Sequence, residues 1–267
     1  MRAWTILLLY VLPAAAADPP RRIVSTAPSV TEMLYALNLG DRVVGVTTYC
    51  QYPPEVRSKP KVGTFARPDL EAVLQLRPDL VVLLQHATTL QAKLPAFGIP
   101  ALELKNESFE DICQSLLTLG SRTGVESTAQ QRVSALRSEL QEIRARLAPL
   151  PRRRVMFVVG RTPGTIRDLI VVGRASFLNQ LIEVAGGENV FGASAVAYPK
   201  ISREEVLARR PEVIVDTGDA SVAELWKPWL PTSRVYAVSS EIFVVPGPRV
   251  TEAARALARM IHPEAQW

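Results

Sequence analysis

The chain has 267 residues, of which 48% are hydrophobic and 21% charged, and its formal net charge is +5. This length allows two modest domains or one large domain. The basic excess is local, in the runs Arg152–Arg154 and Arg209–Arg210, and neither run is interleaved with aromatic residues. A nucleic-acid partner is therefore not expected.

The first 17 residues have the three parts of a secretory signal peptide. A basic start at Arg2 precedes an apolar run over residues 3–12, and Ala15–Ala17 form a small-residue cleavage site. No cysteine lies directly after that site, and no later stretch has the roughly 18 uninterrupted apolar residues of a membrane helix. We therefore expect residues 1–17 to be a signal peptide and the mature protein to be periplasmic, without a lipid anchor.

From Arg22 onward, short apolar strands alternate with helical patterns, which predicts an α/β fold. The first strand, residues 23–26, leads into a helix that Ser29 begins in a capping box with Glu32 and that ends at Gly40. Further strands are predicted at residues 42–48, 80–84 and 101–104.

One segment occurs twice, because residues 65–82 and residues 198–215 share one pattern at an offset of 133 positions. Both copies contain the same features in register: an aromatic residue, a helix-capping Asp or Ser, a glutamate, an apolar pair, a proline and a buried strand. A generic helix–proline–strand unit would repeat the apolar pattern alone, whereas here the aromatic residue (Phe65, Tyr198) and the acid also repeat. The repeat favours two similarly built lobes around one ligand over an enzyme with a single asymmetric site.

Residues 125–147 carry apolar side chains in steps of four and three, which is typical of an amphipathic helix about 35 Å long. A dimeric coiled coil is the alternative, but three heptads are marginal for that structure. We expect a monomer in which residues 124–148 form a helix that joins an N-terminal lobe (residues 22–123) to a C-terminal lobe (residues 152–267).

The C-terminal part again alternates strands and helices. The predicted fold class is thus α/β, with two Rossmann-like lobes whose sheets are rich in parallel strands. Besides the second copy of the repeat, the predicted elements are strands at residues 155–160, 169–173, 235–239 and 242–245, and helices at residues 176–185 and 251–261.

Aromatic and basic side chains lie at or near the predicted strand ends, where open parallel sheets bind ligands. Flat rings suit a large, rigid, partly apolar ligand, since each buries roughly 150–250 Å². Packing beneath a loop is the alternative for any single ring. The candidate residues are Tyr49, Phe65, His86, Arg161, Tyr198 and Phe243.

Glu71 and Glu204 occupy equivalent places in the two copies of the repeat, each in the first turn of a helix. A carboxylate there complements the helix dipole, which explains either glutamate alone. Their equal offset suggests a further role as paired acidic sites that dock on a partner with two basic sockets.

The sequence has no motif of a serine hydrolase, a P-loop or a zinc peptidase. His86 and His262 are its only histidines, too few for a dedicated zinc or manganese carrier. Cys50 and Cys113 are expected to be free thiols, with a disulfide as the alternative. An enzyme that uses Cys50 or His86 as a metal ligand is therefore the weaker alternative to a binding protein.

Several segments, among them Ala-Pro-Ser-Val-Thr-Glu at residues 27–32 and Ser-Arg-Glu-Glu-Val-Leu-Ala-Arg at residues 202–209, resemble one known family. The other matching segments are residues 22–24, 49–54, 70–81, 185–191 and 248–249. The chain resembles the substrate-binding proteins of bacterial ABC importers, in the class III periplasmic binding proteins whose lobes are joined by one long helix. That class carries cobalamin, haem and ferric siderophores, and its cobalamin carriers are the most similar.

The resemblance implies residue roles. Phe65 and Tyr198 stand where the family places tryptophans against the ligand, and Glu71 and Glu204 match glutamates that meet arginines of the permease dimer. Other ligand contacts implied by the resemblance or chosen from the matching segments are Tyr49, Glu241, Ile242, Phe243, Val244, Val245, Pro28, Ser29 and Arg67.

The chain departs from the family pattern at three positions: Val245 replaces a basic residue, Leu84 a tryptophan and Ala185 a disulfide cysteine. Arg161 and Arg167 are the candidates to supply the missing positive charge. We expect an exported, non-enzymatic binding protein without a cofactor or metal site. Its transported ligand is expected to be cobalamin or a related corrinoid, with haem or a ferric siderophore as the alternatives.

Overall fold

The computed structural model describes residues 18–85, 89–239 and 241–265. The predicted signal peptide and the candidate ligand residue His86 lie outside these ranges.

The N-terminal sheet has four parallel strands in the order β2-β1-β3-β4. Its strands are nearly continuous apolar runs because helices cover both faces of such a sheet. The strands are β1 (Ile23–Ser25), β2 (Val43–Val46), β3 (Leu80–Leu84) and β4 (Ala101–Leu104). The helices of this part are α1 (Pro28–Ala36), α2 (Leu70–Gln75), α3 (Leu90–Lys93) and α4 (Phe109–Thr123).

The C-terminal sheet has the order β10-β9-β5-β6-β8, with β7 also paired to β5. Strands β5, β7, β9 and β10 pair in parallel, whereas β6 pairs antiparallel with β5 and β8. The strands are β5 (Arg153–Gly160), β6 (Leu169–Val171), β7 (Gly187–Asn189), β8 (Lys200–Ile201), β9 (Val213–Thr217) and β10 (Arg234–Val238). The helices are α6 (Phe177–Val184), α7 (Arg203–Arg209), α8 (Val222–Trp226) and α9 (Val250–Ile261).

The long helix α5 (Glu126–Leu147) confirms the prediction from the apolar spacing. It follows Gly124, which has a left-handed φ of 71° and ends α4. Its apolar stripe is buried within the chain against α4, α6 and α9, so no coiled-coil partner is needed to cover it. The largest core cluster extends through α5 to side chains of both sheets.

The sequence repeat is also a structural repeat. Strands β3 and β9 begin and end 133 positions apart. Arg77 and Arg210, each followed by a proline, have left-handed φ angles of 45° and 44°. Asp69 caps α2 and Ser202 caps α7.

The repeat includes a contact that the sequence does not reveal. The carboxylate of Asp79 accepts hydrogen bonds from the backbone N–H groups of Arg21 and Arg22, just before β1. The carboxylate of Glu212, at the equivalent position, accepts one from the backbone N–H of Arg154 at the start of β5. Each acid therefore ties the repeated unit to the strand beside it.

Two local predictions around α1 are wrong. The helix begins at Pro28 with Ala27 as N-cap, so Ser29 and Glu32 lie inside it and form no capping box. Proline suits the first helical position, and the Glu32 carboxylate instead binds Arg249. The helix also ends at Ala36, before the predicted Gly40.

The predicted strand at residues 242–245 is a turn instead. Tertiary packing explains its aromatic residue, because the Phe243 ring is buried edge-on against Phe157 at a centroid distance of 5.4 Å. The expectation of free thiols is confirmed, since Cys50 and Cys113 are both buried and unbridged.

Candidate functional site

A cavity of about 580 Å³ opens at the carboxyl edge of the N-terminal sheet. All four strands of that sheet contribute to it: segment 27–32 follows β1, segment 49–57 follows β2, Leu84 ends β3 and Asn106 follows β4. The segment 241–249, which connects β10 to α9, supplies the other lining residues besides Phe65. The cavity thus occupies the place where open parallel sheets bind ligands, and its size is in the range of cofactor sites.

Seven of the predicted ligand residues line this cavity. Tyr49 and Val244 are 65% and 47% exposed, so both present apolar surface at the cavity. The set consists of Pro28, Ser29, Tyr49, Phe65, Glu241, Val244 and Val245.

Five other predicted residues are not brought to the cavity. Ile242 and Phe243 pack in the core, and Arg67 is exposed outside the lining. The Tyr198 hydroxyl forms a hydrogen bond with Ser176 Oγ at 3.1 Å. Arg161 pairs with Asp216.

The Arg161–Asp216 pair is a buried cluster of its own. Asp216 Oδ2 accepts hydrogen bonds from Arg161 Nε at 3.2 Å and from Trp226 Nε1 at 2.8 Å. Burial raises the pKa of the Asp216 carboxyl, against the Trp226 hydrogen bond and the Arg161 charge. Because Arg161 is engaged here, its charge is not available to replace the basic residue that the resemblance implies at position 245.

A second buried ion pair lines the cavity and was missed by the sequence analysis. Arg249 donates from Nε and Nη2 to the two carboxylate oxygens of Glu32, at 3.0 and 2.5 Å. The Tyr52 ring covers the guanidinium, 4.1 Å from its central carbon. Burial raises the pKa of the Glu32 carboxyl, and Arg249 opposes this shift. No local signal could have joined two residues 217 positions apart.

The two candidate docking acids, Glu71 and Glu204, are both exposed in the first turns of α2 and α7. Their surroundings differ. Glu204 lies 3.3 Å from the Arg203 guanidinium, which in turn lies over the Trp229 ring at 3.9 Å. Among the described residues, Glu71 has no ion-pair partner.

Within the described ranges, no three His, Cys, Asp or Glu side chains are grouped as a metal site would require. The same ranges contain no helix that is both long and apolar enough to span a bilayer.

Comparison with known proteins shows the family of the chain. The chain is 31% identical to the vitamin B12-binding protein of Yersinia pestis, over 97% of this chain and 92% of that protein. Its structure is similar to the periplasmic vitamin B12 binding protein BtuF of Vibrio cholerae, with a TM-score of 0.78, 25% identity and coverage of 94% and 100%. It is also similar to a periplasmic haem-binding protein of Pseudomonas aeruginosa, with a TM-score of 0.81, 27% identity and coverage of 92% and 94%. Residues 23–224 match the family described as periplasmic binding protein. The chain therefore belongs to the periplasmic binding protein family.

Proposed function

We propose that this protein captures cobalamin or a related corrinoid and delivers it to the permease dimer of an ABC importer. The observation that carries the proposal is the cavity formed by all four strand ends of the N-terminal sheet and the segment 241–249. Its exposed aromatic and aliphatic walls suit a broad, rigid ring system. Relatives and structural neighbours that are named for vitamin B12 support the same ligand class.

Haem is the second candidate, because haem-binding proteins have the same fold. Haem iron in proteins takes an axial ligand from His, Cys, Met or Tyr. Among the described lining residues only Tyr49 and Tyr52 belong to this set, and the Tyr52 ring is stacked on Arg249. Cobalamin carries its own axial ligands and needs shape and apolar contact from the protein, which this cavity offers.

The proposal includes export by the signal peptide at residues 1–17, a periplasmic location without a lipid anchor, and action as a monomer without catalysis. It also includes two lobes at residues 22–123 and 152–267 joined by the helix segment 124–148. The two separate sheets and the packing of α5 on α4, α6 and α9 support that division.

Titration of the purified protein with cobalamin and with haem tests the ligand. We expect saturable binding of one cobalamin per protein chain. Haem should bind more weakly, and its absorbance spectrum should not show coordination by a new axial ligand. Tight haem binding with a spectrum of tyrosine ligation, and no cobalamin binding, would overturn the proposal in favour of haem.

A further inference from the structure

We propose that Arg57 determines ligand specificity in this cavity by binding an anionic phosphate or carboxylate group of the ligand. The inference deepens the proposed function and rests on it. It names the chemical group by which this chain recognises its ligand.

The first support is the charge distribution around the cavity. Four charged side chains line it: Glu32, Arg249, Arg57 and Glu241. Glu32 and Arg249 neutralise each other in the buried bidentate pair. Among the described residues, Arg57 has no carboxylate partner, and the same holds for Glu241. Among the charged side chains that line the cavity, Arg57 is thus the cation without an ion-pair partner in the described part of the chain.

The second support is that the other candidate cations are engaged or distant. Arg161 is bound to the buried Asp216. Arg167 lines a separate groove that contains Lys200 and Glu204. Arg161 and Arg167 were the candidates from the sequence to supply a positive charge, and neither of them is among the lining residues of the cavity.

The third support is the rigidity of the element that carries Arg57. It belongs to a short 3₁₀ helix, Pro54–Ser58, whose central residue Val56 is fully buried. The backbone N–H of Val56 donates to the carbonyl of Pro53, and the ammonium of Lys61 donates to the carbonyl of Val56. The Arg57 backbone is therefore fixed while its side chain is exposed at the cavity.

A guanidinium binds phosphate or carboxylate oxygens through two parallel N–H groups, which adds orientation to the charge. An exposed pair of this kind contributes little in water. A large ligand that fills the cavity displaces water and so strengthens the interaction. Glu241, which belongs to the C-terminal lining segment 241–249, repels an anion. The ligand is therefore expected to bind with its anionic group toward Arg57.

The experiment compares Arg57→Gln and Arg57→Lys with Arg144→Gln, which removes the same charge from the exposed face of α5. Three probes are titrated: cyanocobalamin, dicyanocobinamide, which lacks the phosphodiester and nucleotide, and haem, which carries two carboxylates. We expect Arg57→Gln to raise the Kd for cyanocobalamin about 10-fold, the range of a hydrogen bond to a charged group. Arg57→Lys should lose less affinity for cyanocobalamin. The Kd values of Arg57→Gln and Arg144→Gln for dicyanocobinamide should agree within about twofold.

Each outcome has one meaning. If the wild type binds haem and not the corrinoids, a loss of haem affinity in Arg57→Gln supports a carboxylate as the recognised group. If the wild type binds cyanocobalamin but Arg57→Gln and Arg144→Gln behave alike, the inference is wrong and the proposed function stands. An equal loss for both corrinoids also overturns it, because cobinamide has no phosphate. If the wild type binds none of the probes, the proposed function fails and the inference fails with it.

Discussion

Replacing Arg249 with methionine should lower the free energy of unfolding by about 3–5 kcal/mol, because it leaves a buried carboxylate without a partner. The structure sets this magnitude through burial. The Glu32 and Arg249 side chains are only 3% and 10% exposed, and both carboxylate oxygens are bonded. In a protein of this size, about 2–4 °C of Tm corresponds to each kcal/mol, so a fall of roughly 6–20 °C is expected.

The pair as a whole is not expected to be strongly stabilising. Glu32→Leu combined with Arg249→Met removes both charges, and such replacements are often nearly neutral. The double-mutant cycle should therefore give a coupling of at least about 2 kcal/mol. Urea unfolding, followed by the fluorescence of the buried Trp226, gives the free energy of unfolding of the wild type, the two single variants and the double variant.

A matched control is present on α9, the helix that Arg249 caps. Arg255 on α9 binds Glu139 on α5 at 2.9 Å, but these side chains are 40% and 27% exposed. Arg255→Met should cost less than about 1 kcal/mol. If Arg249→Met costs no more than Arg255→Met, the argument from burial is refuted.

Three further predictions concern the cavity, the docking acids and pH. Tyr49→Ala and Phe65→Ala should each weaken ligand binding by about 1–3 kcal/mol in a titration, through lost apolar contact. Glu71→Ala combined with Glu204→Ala should leave ligand affinity unchanged and impair uptake in cells. The backbone N–H at the start of β5 lowers the pKa of the Glu212 carboxyl, so the folded-state pKa lies below the unfolded one. Its contribution is present above the ordinary carboxyl pKa and is lost as pH falls through the folded pKa, so urea unfolding of Glu212→Gln should show a deficit at pH 7 that vanishes in acid.

The controls for these predictions follow from exposure. Because the Glu212 side chain is 42% exposed, its deficit at pH 7 should stay below about 1 kcal/mol. A deficit of the same size at every pH would contradict the assignment to its charge. For uptake, Glu126→Ala with Glu142→Ala removes two charges from exposed positions on α5. Equal uptake by the two double variants would exclude the docking role.

Most of the fold was predictable because its signals are local. Strands β3 and β4 were predicted to the residue, since polar residues or a proline flank both strands, and α5 followed from its spacing. The errors fall where a distant contact decides. Glu32 is a capping residue by pattern, but the Arg249 guanidinium is available to it in the folded chain. Phe243 belongs to a strand-like sequence, but its ring fills a space beside Phe157.

The candidate site was predictable only in part, for a related reason. The rule that ligands bind at strand ends is local enough to select Tyr49 and Phe65, which do line the cavity. Arg57 was missed because a loop separates it from the end of strand β2 at Val46. Its significance also depends on which of the other charged side chains are neutralised. That information exists only once Arg161 and Arg249 have found their partners.

The two copies of the repeat share their backbone structure but differ in the contacts of their aromatic side chains. Helix caps, left-handed residues and strands recur at one offset, yet Phe65 lines the cavity while Tyr198 binds Ser176. The local difference is the edge of the C-terminal sheet. There the backbone of residues 194–199 is hydrogen-bonded to that of residues 171–174, beside the antiparallel strands β6 and β8. This backbone pairing positions Tyr198 so that its hydroxyl contacts Ser176 within the C-terminal half. The C-terminal half therefore reaches the cavity through the segment 241–249, and ligand recognition is expected to depend more on the N-terminal sheet than a symmetric sandwich would require.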